Sequence, residues 1–515
     1  MYLGAMAEKF PDRTALVIGD NDVVLSYAEL EARSNQMAHA LRRLGLGVGD
    51  TIAVMVENCE QYVETWWAAM RTGLYLTPVN WHLTATEVSY LVSDSNSSAL
   101  VYTGSLGELA DRAVDGDPSI HLIAVGDTPL ERALDYQALR EAEPTSRVDD
   151  ELDGSPMFYS SGTTGRPKGI RRPLSGMHPA EGHSRMAFTA ERYGLTEGCR
   201  YLSSGPLYHA APSLWTTGVH TVGGTSVVMR RFDPEGALAL IDHQRITISQ
   251  WVPTMLQRMM RLPPEVRDRY DLSSLERAWT AAAPISIELK QQMIDWWGPI
   301  LLEYYAASEG GATIITTEEW LERPGSVGRH YTGDKIYILD TATREEVPIG
   351  QEGVVYFRPQ PGAAFEYHHD PDKTAEVHHE GLFTAGDIGY LDDEGYLFLT
   401  DRQSNMIIAG GVNIYPREIE EAIASHPGVA DVAVFGVPDD DLGERVHAVI
   451  EPLDPAADGD ALIEAVTAHL QDRLARHKIP RSFEINLQLP RDDNGKLYKR
   501  RLRDPYWQDR GSRLV

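Results

Sequence analysis

A segment of eleven residues, from Tyr159 to Gly169, holds three glycines, four serine or threonine hydroxyls and two cations. Glycine has no Cβ, so backbone N–H groups can approach an anion closely. Hydroxyls donate hydrogen bonds to phosphate oxygens, and the cations offset phosphate charge. A flexible turn is the alternative, but the ordered Arg-Pro-Lys-Gly ending favours a phosphate-binding loop. Its candidate residues are Ser160, Ser161, Gly162, Thr163, Thr164, Gly165 and Lys168.

Two commoner nucleotide-binding patterns do not fit this chain. The P-loop pattern needs a first glycine, four residues and then Gly-Lys-Ser/Thr, whereas Lys168 follows a proline. Gly495 and Lys496 fail it as well, because Pro490 occupies the first glycine position and Leu497 stands where Ser or Thr is needed. The glycines near residue 45 lack the last spacing of the Rossmann pattern and follow a predicted helix. The segment therefore needs another interpretation.

The segment resembles the phosphate loop of the acyl-adenylate-forming (AMP-binding) enzymes, the family of acyl-CoA synthetases, adenylation domains and firefly luciferase. The resemblance extends over nearly the whole chain, because further segments match family motifs in the family's order. Adenylation needs little acid–base chemistry, since a carboxylate is already a nucleophile at neutral pH. Two anions must meet, so catalysis depends on positioning and on neutralising charge around the α-phosphate.

The segment from Tyr304 to Gly310 resembles the family's Tyr-Gly-x-Thr-Glu motif, with Ala306 and Ser308 in place of Gly and Thr. A single carboxylate is adequate for Mg²⁺, which prefers one or two carboxylates plus phosphate oxygens and water. The resemblance implies Tyr304 and Tyr305 beside the adenine, Ser308 at the α-phosphate, and Glu309 with Thr164 at Mg²⁺.

Further segments are implied to border the adenine and the acyl group. Ala281, Ala282, Ala283 and Pro284 match the small-residue segment along the adenine, although a turn before a helix at Ser286 explains them nearly as well. His209 rests on the resemblance of its segment to one that borders the acyl pocket. Trp215 and Ala281 complete that pocket. Its apolar character indicates an acid with a medium or long chain or a bulky ring.

Two polar residues are implied to hold the ribose. Asp387 ends a segment similar to the family's Gly-Trp-Phe-x-Thr-Gly-Asp, and a two-oxygen acceptor suits both ribose hydroxyls. Arg402 follows at the family's interval and would reach the ribose or a phosphate. Each residue alone is typical of a turn or a surface pair, but their joint spacing favours the site.

The last part of the chain carries a hinge, a loop and a lysine that the resemblance makes functional. Ser404 stands at the hinge position, and Gly410 and Gly411 belong to the loop that lines the pantetheine tunnel in relatives. Lys496 resembles the terminal lysine that bridges the acid and the α-phosphate during adenylation only. Lysine is scarce here, eight of 47 basic residues, so a lysine inside a motif is rarely background.

The bulk composition limits the class of protein. A chain of 515 residues predicts two or more domains. A formal net charge of −29 argues against nucleic acid as a partner, because phosphate neutralisation needs clustered cations. The two cysteines match no metal spacing. We expect no membrane span, since no apolar run reaches about 18 residues, and a cytoplasmic location, since no signal-peptide pattern begins the chain.

The elements that must position these residues follow an α/β pattern. Ser26 and Glu29 form a capping box that predicts a helix closed by Gly45. Short buried strands are expected at 52–56, 99–102, 225–229 and 246–249. From Met406 onwards a strand, a helix opened by Pro416, two strands, a helix and a last strand predict a split βαβ unit.

We therefore expect an α/β fold with a large N-terminal domain, residues 1–402, and a small mobile α+β C-terminal domain, residues 403–515. The resemblance implies β-sheets flanked by helices, with a distorted β-barrel subdomain. It also implies an ATP-dependent acyl-CoA synthetase that uses ATP, Mg²⁺ and coenzyme A on a carboxylic acid, and it offers a homodimer as the expected assembly. A stand-alone enzyme that loads a carrier protein and a catalytically silent acyl-nucleotide sensor are the alternatives.

Overall fold

A computed structural model describes residues 2–128, 130–160, 167–181, 185–360, 364–402, 405–409, 412–439, 442–471, 473–491 and 497–508. At residues 185–188, 402, 408, 412 and 413 the description covers the backbone alone. The fold is mixed α/β, with a large N-terminal sheet domain and a smaller C-terminal domain. The domain boundary at residue 402 stays a prediction, because residues 403 and 404 lie outside the described part.

The first part of the chain alternates helices and strands. Its elements are α1 (Leu3–Lys9), β1 (Thr14–Ile18), β2 (Val23–Ser26), α2 (Tyr27–Arg43), β3 (Thr51–Met55), α3 (Glu60–Arg71), β4 (Tyr75–Pro78), α4 (Ala85–Asp94), β5 (Ser97–Thr103), α5 (Gly107–Ala113), β6 (His121–Val125), β7 (Leu134–Asp135), α6 (Tyr136–Glu141) and β8 (Ser155–Pro156). A 3₁₀ turn at Gly104–Leu106 precedes α5.

The middle of the chain continues this alternation. Its elements are β9 (Phe158–Ser160), β10 (Lys168–Arg171), α7 (Arg185–Arg192), β11 (Arg200–Ser203), α8 (Ala210–Thr221), β12 (Thr225–Val228), α9 (Pro234–His243), β13 (Ile248–Trp251), α10 (Pro253–Met260), α11 (Pro264–Arg267), β14 (Arg277–Thr280), α12 (Ile287–Trp297), β15 (Leu301–Ala306), β16 (Ala312–Ile315), α13 (Thr317–Glu322) and β17 (Arg329–His330).

Short strands dominate next, and a compact α+β unit ends the chain. The elements are β18 (Tyr337–Leu339), β19 (Gly353–Tyr356), β20 (Glu366–Tyr367), α14 (Pro371–Val377), β21 (His378–His379), β22 (Leu382–Phe383), β23 (Asp387–Leu391), β24 (Leu397–Arg402), β25 (Ile407–Ala409), β26 (Val412–Ile414), α15 (Pro416–Ala424), β27 (Val429–Asp439), β28 (Gly443–Pro452), α16 (Gly459–Gln471), β29 (Ser482–Ile485) and α17 (Lys499–Arg503). A 3₁₀ turn at Asp504–Trp507 follows α17.

Two large sheets organise the N-terminal domain. The first has the order β17-β16-β15-β14-β13-β11-β12-β1-β2, and its six strands from β15 to β1 are parallel. The second, β7-β6-β5-β3-β4-β8, is parallel throughout. Every residue of Thr51–Met55 is buried, as expected of a strand covered on both faces by helices. The buried strands predicted from apolar runs are confirmed.

Three smaller sheets, β20-β10-β9, β18-β19-β23-β24 and β21-β22, complete the described part of the N-terminal domain. All three contribute to one apolar core that includes Ile170, Val355, Tyr367 and Phe383. Their strands pack around this shared core but form separate hydrogen-bonded sheets. The distorted β-barrel that the resemblance implies stays a prediction.

The C-terminal unit agrees with the predicted order of elements. Its sheet runs β26-β25-β28-β27, and β29 pairs with β28 in parallel. Ile419 and Ile423 of α15 and Val466 and Leu470 of α16 are buried, as the helical spacing predicts. Sequence reasoning did not predict β26 or α17, because three to five residues are too few for a periodic pattern.

The described hydrogen bonds between this unit and the large domain lie at two places. Arg417, in the first turn of α15, donates its backbone N–H to Asp401 Oδ2 at 3.0 Å and its Nη1 to the carbonyl of Leu399 at 2.8 Å. Arg261, just after α10, donates Nη2 to the carbonyl of Ala430 at 3.1 Å. Asn405 also donates Nδ2 to Asp401 Oδ1 at 3.2 Å. These bonds are named the inter-domain latch below.

Candidate functional site

The segments singled out in the sequence come together at one edge of the main sheet. Strands β11, β13, β14 and β15 are parallel neighbours, so their carboxyl ends meet at the same edge. The segments that leave β11, β14 and β15 are 204–209, 281–284 and 307–310, which carry the predicted acyl, adenine and metal residues. In open α/β sheets ligands bind outside the carboxyl ends of the strands. The topology therefore brings the candidate residues to the expected place.

The predicted phosphate loop connects a β-hairpin. Ser160 of β9 lies opposite Lys168 of β10, and Gly169 lies opposite Tyr159. A Cβ on Gly169 would lie 2.9 Å from the Tyr159 ring, so only glycine allows this close approach. The predicted contacts Ser161, Gly162, Thr163, Thr164 and Gly165 lie outside the described residues. The hairpin therefore fixes the two ends of the loop.

Lys168 lies at the base of this hairpin in a partly buried position. Its Nζ is 3.8 Å from Asp370 Oδ2 and 5.3 Å from the centre of the Tyr367 ring. Burial and the nearby charge of Lys373 lower the pKa of Lys168. The Lys168 ammonium therefore lies near the carboxylate of Asp370 and the ring of Tyr367.

Glu309 has a buried carboxylate that is held by a tyrosine. Tyr367 donates its hydroxyl to Glu309 Oε1 at 2.9 Å, and burial together with the charge of Glu309 raises the pKa of Tyr367. Gly310 and Gly311, with φ of 140° and 66°, follow at once. A Cβ on Gly311 would lie 2.6 Å from the Phe357 ring, so the turn after Glu309 needs glycine.

The backbone of the same turn is held by an arginine. Arg172 donates Nη2 to the carbonyls of Ser308 and Glu309, both at 2.8 Å. Burial lowers the pKa of Arg172 to about 10, against the opposing charge of Glu309. The carboxylate of Glu309 is therefore held from β20, and its main chain is held by the residue that follows β10.

Tyr305, which was predicted beside the adenine, contacts Asp387, which was predicted at the ribose. The Tyr305 hydroxyl donates to Asp387 Oδ2 at 2.5 Å. Asp387 begins β23 and lies directly opposite Arg402, the last residue of β24. The side chain of Arg402 lies outside the described residues. The antiparallel register nevertheless explains why two residues fifteen positions apart were predicted to share one site.

Two of the three predicted acyl-pocket residues, Trp215 and Ala281, belong to one aromatic cluster. Tyr304 points to the opposite face of β15 from Tyr305 and packs with Trp215, Tyr193 and Ala281. The ring centres of Tyr193 lie 4.5 Å from Trp215 and 4.7 Å from Tyr304. Tyr304 is only 6% exposed, so it forms the wall of this region and does not lie open beside Tyr305.

The remaining predicted contacts lie around this cluster. His209 is the N-cap residue of α8 and its ring lies 4.5 Å from that of Tyr208. Ala282 is exposed and has a φ of 70°, a conformation that costs energy for any residue with a Cβ. Ala283 and Pro284 follow, and Ser286 caps α12 as predicted by accepting from the Leu289 N–H.

Four predicted residues from the end of the chain lie outside the described residues: Ser404, Gly410, Gly411 and Lys496. Their roles stay predictions. Two residues that contact the site, Arg172 and Tyr367, were missed by the sequence reasoning. Arg172 left a weak signal, since two arginines directly follow the apolar Ile170. Tyr367 left none, because a single tyrosine in a polar segment is common.

The donor groups present fit Mg²⁺. Glu309 offers a carboxylate whose described side-chain partner is a neutral hydroxyl, and Ser308 adds a hydroxyl next to it. One carboxylate with phosphate oxygens and water is a set that Mg²⁺ accepts. Within the described ranges, no group of three His, Cys, Asp or Glu side chains could hold a metal alone. No helix in the described part of the chain is long and apolar enough to cross a bilayer.

Comparison with known proteins establishes the class. The sequence model for the AMP-binding enzyme matches residues 4–368, and that for the AMP-binding enzyme C-terminal domain matches residues 418–496. The chain therefore belongs to the AMP-binding enzyme family. It is an enzyme of the AMP-forming acid–thiol ligase type, and ATP and coenzyme A are the family's cofactors.

Particular relatives differ in the acceptor that they use. The chain is 32% identical to the fatty acid–[acyl-carrier-protein] ligase ScoC of Streptomyces coeruleorubidus, over 94% of this chain and 92% of the relative. It is 31% identical to the long-chain-fatty-acid–CoA ligase FadD13 of Mycobacterium tuberculosis, over 96% of both. The structure of o-succinylbenzoate CoA synthetase from Bacillus subtilis with its acyl-adenylate has a TM-score of 0.80, at 25% identity over 97% of both chains.

Proposed function

We propose that this protein is an ATP-dependent acyl-CoA synthetase. It converts a carboxylic acid and ATP into acyl-AMP and diphosphate, and then transfers the acyl group to the thiol of coenzyme A with release of AMP. One observation carries the proposal: Glu309 and the Tyr305–Asp387 pair lie at the same sheet edge, next to the hairpin that carries the phosphate loop. The match to both family models supports it.

In the first half-reaction the protein groups position two anions and reduce their repulsion. The loop from Ser160 to Lys168 holds the diphosphate, the Ser308 hydroxyl donates to the α-phosphate, and Asp387 accepts from the ribose hydroxyls. Lys496 lies between the acid carboxylate and the α-phosphate. Glu309 and Thr164 would hold Mg²⁺, which would supply charge neutralisation at the phosphates.

In the second half-reaction the small domain turns about Ser404. The loop with Gly410 and Gly411 then lines the path of the pantetheine arm, and Lys496 leaves the site. The thiol carries a pKa of about 8.5 when free, so a minor thiolate fraction is present at neutral pH without a dedicated base. The thiolate attacks the acyl carbonyl and AMP departs.

A panel of carboxylic acids tests the reaction. Diphosphate release is measured for fatty acids of increasing length and for aromatic and bicyclic acids, with and without coenzyme A. We expect acid-dependent release and an acyl-CoA product of matching mass. Absence of release with every acid would favour the silent acyl-nucleotide sensor and contradict the proposal.

A variant separates the two half-reactions. We expect Lys496→Ala to abolish adenylation because it removes the bridging charge, and to leave thioester formation from preformed acyl-AMP largely intact. Lys499→Ala, three residues away in the chain, is the matched control. Equal loss of both half-reactions in Lys496→Ala would show that the domain alternation is wrong for this enzyme.

The second candidate function is loading of a carrier protein, which the similarity to an acyl-carrier-protein ligase favours. The same assay with a phosphopantetheinylated carrier protein in place of coenzyme A decides between them. A higher kcat/KM for coenzyme A supports the synthetase. A homodimer, a cytoplasmic location and the domain limits 1–402 and 403–515 remain predictions of the same proposal.

A further inference from the structure

Arg172 is a buried cation whose described hydrogen bonds serve one turn of the site. It is 6% exposed, and no described carboxylate forms an ion pair with it. Its Nη2 donates to the carbonyls of Ser308 and Glu309 at 2.8 Å each. Its Nη1 is buried and has no hydrogen-bond partner among the described residues. Its two described side-chain hydrogen bonds therefore both serve the turn that carries Glu309.

The position of Arg172 in the chain links this turn to the phosphate loop. It follows β10, the second strand of the hairpin, and its own carbonyl accepts a hydrogen bond from the Tyr75 hydroxyl at 2.8 Å. Its guanidinium lies 6.0 Å from the Phe365 ring. The arginine is thus held at both ends: Tyr75 of β4 binds its carbonyl, and its side chain binds the turn.

The geometry points to a role for Arg172 as a positioning residue in adenylation, a role that rests on the proposed function. Two hydrogen bonds from one nitrogen to consecutive carbonyls fix the orientation of both peptide groups. The directions of the Ser308 and Glu309 side chains then follow from that of the peptide groups. We infer that Arg172 sets the distance between the metal-binding turn and the phosphate loop, without contacting the reacting atoms.

The neighbouring arginine gives a matched control. Arg171 is a residue of the same size and charge, one position away, and it points elsewhere: its Nη1 lies 3.3 Å from His368 Nδ1 and its guanidinium 4.5 Å from the Tyr75 ring. Removal of either charge changes the net charge of the protein equally. An effect that is specific to Arg172 therefore reflects its two carbonyl contacts.

The test uses the full chain and a readout that needs no acid. The rise in unfolding temperature caused by saturating ATP is measured while the Mg²⁺ concentration is varied, for the wild type, Arg172→Met, Arg172→Lys and Arg171→Met. We expect Arg172→Met to need roughly tenfold more Mg²⁺ for half of the shift, the usual cost of losing a group that orients a metal ligand. Arg172→Lys keeps the charge and reaches one carbonyl, so an intermediate value is expected. Arg171→Met should match the wild type.

The acid-dependent reaction is followed in parallel. We expect adenylation by Arg172→Met to fall about tenfold to a hundredfold, the effect of a small misplacement, and thioester formation from acyl-AMP to change little. A wild-type Mg²⁺ requirement in Arg172→Met would overturn the inference. If that variant does not fold, a wild-type requirement in Arg172→Lys overturns it.

The two proposals fail in different ways. A wild type that releases no diphosphate with any acid but shows the Mg²⁺-dependent ATP shift contradicts the synthetase proposal and leaves the Arg172 result decisive. A wild type without any ATP-induced shift overturns both, because there is then no nucleotide site to position.

Discussion

Two buried arginines of this molecule have nearly equal exposure and opposite surroundings. Arg71, 2% exposed, donates Nη1 and Nη2 to the carboxylate of Glu31 at 3.0 and 2.6 Å, and its Nη1 lies 3.3 Å from Glu151 Oε1. Arg172, 6% exposed, has two backbone carbonyls and no described carboxylate partner. The first cation is compensated by fixed charge within the core, whereas the second holds the turn that we propose binds Mg²⁺ and ATP.

The difference separates a residue for stability from one for function. Removal of one partner of a fully paired buried charge strongly destabilises the fold. A buried charge with incomplete partners makes a smaller contribution to folding and leaves capacity for a ligand-dependent role. Replacement of Arg71 should therefore lower stability more than activity, and replacement of Arg172 should lower activity more than stability.

Arg71→Met should cause the largest change in stability. It removes one of the two arginine partners of Glu31 and leaves Glu151 with His178 as its described partner, so we expect a loss of about 3–5 kcal/mol in the free energy of unfolding. Denaturant unfolding of the full chain, read at the first transition, measures it. Arg269→Met, which removes an exposed partner of Glu235, is the control and should cost no more than about 1 kcal/mol. A loss in Arg172→Met as large as that in Arg71→Met would erase the comparison.

Low pH should weaken the ion pairs between Glu31 and its two arginine partners, Arg71 and Arg147, over a defined pH range. Burial acts to raise the pKa of Glu31, but the charges and hydrogen bonds of Arg71 and Arg147 outweigh it and lower this pKa to about 2. A carboxyl with a lowered pKa adds stability above its unfolded pKa of about 4.3 and loses it as the pH falls through about 2. The loss is on the order of 3 kcal/mol.

Unfolding free energies measured from pH 5 downwards check this window. Glu31→Gln should flatten the slope between these two pKa values, whereas the exposed Glu265→Gln should not. An unchanged slope in Glu31→Gln would assign the acid sensitivity to other groups.

Glu309→Gln should affect the reaction and not the fold. The amide keeps the size of the side chain and removes the charge that the Mg²⁺ site needs, so we expect adenylation to fall roughly 100-fold or more. The Mg²⁺ concentration for half-maximal rate and the unfolding temperature are measured together. Glu366→Gln, next to Tyr367 and exposed, is the control. Loss of rate without a change in Mg²⁺ dependence would separate Glu309 from the metal.

Tyr367→Phe should have the smallest effect. It removes one hydrogen bond to Glu309 Oε1, which is worth about 1.5–3 kcal/mol at most for a charged acceptor and less when water can replace the donor. We expect a fall in adenylation of about fivefold at low Mg²⁺ and little change at high Mg²⁺. A larger effect than that of Glu309→Gln would require another role for Tyr367.

The main features of the fold could be predicted because they depend on local signals. Ser26 caps α2 with Glu29 at its third position, as the capping box predicts, and Gly45 follows with a φ of 92°. The buried faces of α15 and α16 follow from apolar spacing. The order of the site segments along the chain was likewise readable, since each is a short run of characteristic residues.

The contacts that organise the site could not be predicted, because they join residues far apart in sequence. Arg172 meets Glu309 across 137 positions, and Tyr367 meets it across 58. Neither contact leaves a periodic pattern. Tyr304 and Tyr305 were grouped at the adenine by the resemblance, yet strand alternation sends one to the aromatic cluster and the other to Asp387.

The inter-domain latch sets a scale for how fast the two halves of the enzyme can exchange positions. Its four described hydrogen bonds, two from Arg417 and one each from Arg261 and Asn405, would each be replaced by water on opening, at a net cost of about 1–3 kcal/mol apiece. Loop and domain motions of enzymes occur in microseconds to milliseconds. These described contacts are enough to favour one orientation, and few enough to be exchanged in each turn of the reaction cycle that we propose. Under the proposed domain alternation, a tighter junction would stop the enzyme after acyl-AMP.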